Sequence, residues 1–129
     1  MPLTKAKPTT KRGNHTFSYQ NSGRFDVGSF CETFHLKQDT LSRMTGYSLR
    51  AVADWRAGKE LSQSSAQRLK EVGRLCAALS KVVKPERVGQ WLQTPNDAFD
   101  GSTPLQVIER GEVDRLWRMI YRLESGEPG

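Results

Sequence analysis

The 129-residue sequence predicts an all-α fold, built from a helix-turn-helix half followed by a smaller helical half. Three observations predict it. Apolar residues recur at spacings of three and four along most of the chain, no segment sustains an alternation of period two, and capping or breaking residues fall at the ends of the periodic runs.

The elements follow in order. Residues 1–28 read as a basic tail: between Met1 and Arg12, Lys5, Lys7, Lys11 and Arg12 stand among Pro and Thr, with Leu3 the one clearly apolar side chain of that stretch. Such a stretch buries too little surface to offset its ordering entropy and is expected to be mostly disordered. On composition it is a solvated tail, and the functional alternative is an arm that follows DNA phosphates. Phe17, Tyr19 and Phe25 are placed to clip its end onto the core or onto a second subunit. A first helix is expected over 29–37, with Phe30 and Phe34 four apart on one face.

Residues 39–58 then read as two short helices joined by a tight turn. Leu41 and Met44 share a face, Gly46 is free to take positive φ, Ser48 supplies an N-cap, and Gly58 closes the second helix. Val52 and Trp55 point to the core, which leaves Leu49 and Arg50 outward at the start of the second helix. In such units that helix enters the major groove and its N-terminal residues meet base edges. Ser48, Leu49 and Arg50 are therefore candidate DNA contacts, Arg50 towards guanine, with Arg43, Arg56 and Lys59 towards phosphates. The bland alternative is a helical hairpin inside a small core.

A long helix capped within residues 61–65 is expected to reach about residue 83, with Leu69, Val72, Leu75, Cys76, Leu79 and Val82 or Val83 as its stripe. Pro85 ends it or opens a short helix carrying Val88, Trp91 and Leu92. A loop follows from Thr94 to Gly101. Thr103, Pro104 and Gln106 form a capping-box start, and the helix they open stops at Gly111. The last helix is expected over 112–125, with Val113, Leu116, Trp117, Ile120 and Leu123 inward.

Composition divides the chain. Net charge is +6, but residues 1–85 hold fifteen Lys/Arg against six Asp/Glu, and residues 86–129 hold five against eight. A net of +9 beside a net of −3 suits a nucleic-acid-facing half joined to a half with another task. The division taken is 1–28, 29–84 and 85–129. Cys31 and Cys76 belong to no metal-ligand spacing; a disulfide between them is the lesser alternative, because no signal peptide is read and a cytoplasmic setting keeps thiols reduced, and no apolar run approaches membrane-spanning length. His15 falls in the tail. His35 sits beside core phenylalanines, as a structural or solvent-exposed residue. No phosphate loop, metal cluster or nucleophile set stands out, so no catalytic residue, metal or cofactor is expected. On the last helix Arg115, Arg118, Tyr121 and Arg122 belong to the residue types most enriched at binding hot spots, while helical spacing puts Trp117 in the core.

The C-terminal run carries Trp91-Leu92-Gln93-Thr94-Pro95-Asn96, then Phe99 to Leu105 with Pro104-Leu105 at a helix start, then Gly111-Glu112, then Leu123 to Gly126. Its order and spacing closely resemble the toxin-binding domain of the Xre/MbcA/ParS type antitoxins. The run from Ser48 to Gly58, with Arg50, Val52 and Trp55 between, resembles that family's Xre-like half. The resemblance implies a type II antitoxin that neutralises a toxin by binding it, the usual partner being a RES-domain protein that consumes NAD. It also implies repression of its own operon and a C-terminal end near the toxin's active site. Ser125, Gly126 and Glu127 therefore join Arg115, Arg118, Tyr121 and Arg122 as candidate toxin contacts. The chain departs from many relatives in ending Glu127-Pro128-Gly129, where they carry apolar residues, and in its long basic tail. A homodimer is expected, because paired half-sites match two-fold symmetry. Two alternatives stand beside the antitoxin: a stand-alone transcriptional regulator whose C-terminal half dimerises or senses, and an adaptor without DNA binding.

Overall fold

A computed structural model describes residues 25–126. Among these residues there are seven α-helices and no strand, so the all-α expectation holds. They are α1 (Val27–Phe34), α2 (Gln38–Thr45), α3 (Leu49–Arg56), α4 (Gln63–Leu79), α5 (Val88–Leu92), α6 (Pro104–Glu109) and α7 (Val113–Glu124). Short 3-10 turns at Pro85–Arg87 and Asp97–Phe99 lead into α5 and the loop before α6. Most of the expected tail, with His15, Phe17 and Tyr19, lies outside the described residues, as does Glu127.

Local chemistry sets several boundaries away from the expected ones. The Asp26 carboxylate accepts from the Ser29 N–H at 3.0 Å, so α1 starts at Val27 instead of residue 29. His35 takes a left-handed conformation, φ 53°, and the Leu36 N–H donates back to the Cys31 carbonyl at 2.9 Å, which stops the helix at Phe34 instead of residue 37. His35 itself is exposed. Phe25, counted with the tail but expected to clip its end onto the core or a second subunit, is buried against the core, with its ring 5.1 Å from Phe30. The ordered core thus opens at Phe25. Helix α4 ends at Leu79, short of residue 83. There the Val82 and Val83 N–H groups turn back to the Leu79 carbonyl, ahead of Pro85.

The core is continuous across Pro85. Phe30, Leu41, Val52, Leu69, Cys76, Val88, Leu92, Leu105, Leu116 and Ile120 all belong to one buried cluster. Helix α2 packs on α6, α4 on α7, and α1 on the Pro85–Arg87 turn. Gly89 allows the closest approach, since a Cβ there would overlap the His35 carbonyl oxygen. Gln93 adds a polar tie, donating through Nε2 to Thr40 Oγ1 at 3.0 Å.

Helix α7 corrects one expectation. It buries Leu116, Met119 and Ile120, while Val113 and Leu123 stay exposed and Trp117 is half-buried instead of core. The helix meets its neighbours along one narrow arc centred between Leu116 and Ile120. Trp117 lies at the arc's edge, its ring 6.0 Å from the exposed Tyr121.

Candidate functional site

Two surfaces gather the candidate residues. The first is built on α2 and α3. Gly46, φ 81°, ends α2 by donating to the Ser42 carbonyl at 2.8 Å. Ser42 Oγ donates to the Tyr47 carbonyl at 2.6 Å, and the Tyr47 N–H donates to Thr45 Oγ1, so the turn is held from both sides. Ser48 Oγ accepts from the Ala51 N–H at 3.0 Å and starts α3. The Tyr47 ring meets Trp55 edge-on at 5.2 Å, over buried Val52. The Ser65 and Ser64 side chains at the start of α4 hold the Tyr47 phenol below its usual range.

This packing orients α3. Leu49 is 51% exposed and the Arg50 side chain 88% exposed, an arrangement that suits a helix offering its first turn to a groove. Asp54 sits between two of the candidate cations, 3.8 Å from Arg50 Nε and 3.9 Å from Lys59 Nζ. The i,i+4 relation of Arg50 and Asp54 was readable from spacing. Arg56 is exposed beside a cleft of about 500 Å³ that Phe25, Trp55, Lys59 and Leu61 also line. Arg43 is placed differently from its expected role. Its guanidinium grips Glu109 of α6 with two hydrogen bonds, Nε to Oε2 at 2.9 Å and Nη2 to Oε1 at 2.7 Å. No sequence signal marks this pair, because 66 residues separate its members.

The second surface lies on α7. Arg115 is tied into the fold: it donates to Glu112 at 3.0 Å, lies 3.7 Å from Asp100, and stands over the Phe99 ring at 5.5 Å. It therefore clamps the Asp97–Phe99 turn onto α7, and its hydrogen bond holds the Glu112 carboxyl below the usual range. Arg118 pairs with Asp114 at 2.9 Å. Tyr121 is 62% exposed and Arg122 is exposed beside it. Ser125 Oγ donates to the Arg122 carbonyl, and Gly126 ends the run at φ 81°. The structure thus brings Arg118, Tyr121 and Arg122 to the outer, C-terminal part of α7, with Ser125 and Gly126 at its cap. Around the edge of α7 runs a half-open groove of about 500 Å³, which sequence reasoning did not find. Val82, Val83, Trp91, Met119 and Leu123 supply its apolar wall, and Asn96 and Asp97 its polar end. Trp91 and Asn96 were already prominent in the C-terminal motif. Their meeting with α7 depends on tertiary packing.

Among the described residues no cluster of His, Cys, Asp or Glu is arranged to hold a metal, and no helix is long and apolar enough to cross a membrane. Burial pushes both cysteine thiols up, Cys76 far above its usual range.

Comparison with known proteins bears on both surfaces. Residues 78–126 match the antitoxin Xre/MbcA/ParS C-terminal toxin-binding domain, a match that opens in the last turn of α4. The chain is 27% identical over 101 residues to the mycobacterial cidal antitoxin MbcA of Mycobacterium tuberculosis, covering 78% of this chain and 89% of that protein. A "probable mycobacterial cidal antitoxin" of the same organism is 31% identical over 81 residues, 63% of this chain and 70% of the relative. Among solved structures, the crystal structure of the M. tuberculosis MbcT–MbcA toxin–antitoxin complex contains a chain that superposes with a TM-score of 0.63. It shares 26% identity and covers 78% of this chain and 92% of that one.

Proposed function

The chain belongs to the Xre/MbcA/ParS antitoxin family, and from that premise we propose that it neutralises a cognate RES-domain, NAD-consuming toxin through α7 and represses its own operon through α2 and α3. It is an antitoxin of a toxin–antitoxin system. In this reading it acts as a homodimer in the cytoplasm and performs no catalysis and uses no cofactor of its own. The observation that carries the reading is the placing of two outward surfaces on one core. The first turn of α3 presents Leu49 and Arg50, and the last turns of α7 present Tyr121 and Arg122 within the matched toxin-binding domain. Exposed Tyr and Arg on a rigid helix are the residue types that dominate binding hot spots. An exposed Arg at the start of a recognition helix suits bidentate contact with guanine.

The test is co-expression with the product of the neighbouring gene, followed by co-purification and DNA titration. The wild-type chain is expected to capture the toxin and to bind duplex DNA from upstream of its own gene. Tyr121→Ala with Arg122→Ala should weaken the toxin complex by more than about 2 kcal/mol while the fold persists. Arg50→Ala should weaken specific DNA binding by about 1–3 kcal/mol and relax base preference. A full-length protein that captures no neighbouring gene product but still binds the DNA would be a stand-alone regulator instead.

A further inference from the structure

The Arg43–Glu109 pair joins the two surfaces, and it is the one two-point charge contact between the helix-turn-helix and the toxin-binding domain among the described residues. Arg43 lies in the last turn of α2, the first helix of the helix-turn-helix. In such units the first helix crosses the DNA backbone, so a cation on it is placed for phosphates. Here the guanidinium is spent on a carboxylate from the other half. Both side chains are more than a third exposed, at 37% and 38%. The contact therefore sits at the protein surface, where an exchange of partners needs no unpacking of the core. A planar guanidinium fits carboxylate and phosphate oxygens with the same two-point geometry, which makes the two ligands direct competitors.

We propose that Glu109 withholds Arg43 from the DNA backbone, so that the toxin-binding half sets the DNA affinity of the helix-turn-helix half. The inference rests on the DNA-binding reading of α2 and α3. It adds that one of the expected phosphate contacts is masked in the free protein.

The full-length chain tests it with four forms: wild type, Glu109→Gln, Arg43→Ala, and the two changes together. Each is titrated against the duplex upstream of its own gene between 50 and 200 mM salt, and each is melted to confirm that it folds. Glu109→Ala replaces Glu109→Gln should the latter melt early. Freeing one cation should steepen the slope of log affinity against log salt by about one for Glu109→Gln, so that affinity falls about three- to fourfold more across that range than for wild type. Arg43→Ala alone should leave the slope unchanged, since the masked side chain makes no phosphate contact. The double variant should match Arg43→Ala. The inference is overturned if Glu109→Gln leaves the slope unchanged, if its gain survives in the Arg43→Ala background, or if Arg43→Ala alone flattens the slope. A wild type that shows no salt-dependent binding at all would remove the DNA-binding reading itself, and this inference with it.

Discussion

A methyl group at position 89 has no room. Gly89 faces the His35 carbonyl, and the backbone of α5 meets the end of α1 there with nothing between them. The obstacle is backbone, so no side-chain rotation relieves it. Gly89→Ala is expected to destabilise the fold by about 1–3 kcal/mol or more, read from the urea midpoint. Gly28, one residue into α1, is the control. A Cβ there makes an ordinary 3.5 Å contact with Asp26 Oδ1, so Gly28→Ala should stabilise by about 0.5–1 kcal/mol through helix propensity. Opposite signs for one chemical change would show that the α1–α5 contact is as tight as described; a harmless Gly89→Ala would refute it. In the sequence the two glycines look alike, because only tertiary packing distinguishes them. Ser48 and Thr103 are the opposite case. Each declares its cap through the residues that follow it, and each makes the expected bond.

The starts of α3 and α6 were legible from their caps, the start of α1 was not, because Asp26 was read as part of the tail, and helix ends were less legible still. Helix α6 is the clearest: Thr103 Oγ1 accepts from the Gln106 N–H at 3.0 Å, and Gln106 Oε1 accepts from the Thr103 N–H at 2.9 Å. With only six residues, α6 depends on this cap more than a long helix would. Thr103→Ala should cost about 1 kcal/mol in a denaturant titration, and Thr103→Ser should recover most of it. Equal stability of all three proteins would mean that packing of Pro104 and Leu105 alone holds α6. The inward face of α7 was harder to read. Periodicity admits both Trp117 and Met119 near the apolar stripe, and the choice between them depends on where α4 and α6 lie. The candidate sites divide the same way. Exposure of Arg50 followed from the positions of Val52 and Trp55 on the same helix. The capture of Arg43 by Glu109, the clamp of Arg115 on Phe99, and the groove beside Trp91 each join segments that no local pattern connects.

At the scale of the molecule, one core serves two surfaces at opposite ends of the sequence. The buried cluster runs from Phe25 to Ile120 without interruption, yet the residues proposed for the toxin lie at the very edge of it. This separation makes truncation after Leu123 informative. The described residues it removes, Glu124 to Gly126, are all exposed. The one ion pair lost with them, Lys81 to Glu124 at 3.5 Å, is exposed on the Lys81 side and of the kind that contributes little. The truncated chain should therefore melt close to the full-length protein. It should also keep its DNA binding, because α2 and α3 pack against parts of the core that the truncation leaves intact. Neutralisation of the co-expressed toxin, in contrast, should be lost, if contacts at the C-terminal end of α7 hold the complex. Growth of cells carrying the toxin, together with the melting curve, reads both expectations at once. If the shortened chain stays folded and still protects, and Tyr121→Ala with Arg122→Ala protects as well, the toxin must seat elsewhere on the matched domain. The groove formed by Val82, Trp91, Asn96 and Met119 is then the surface to mutate, because the truncation leaves its walls in place.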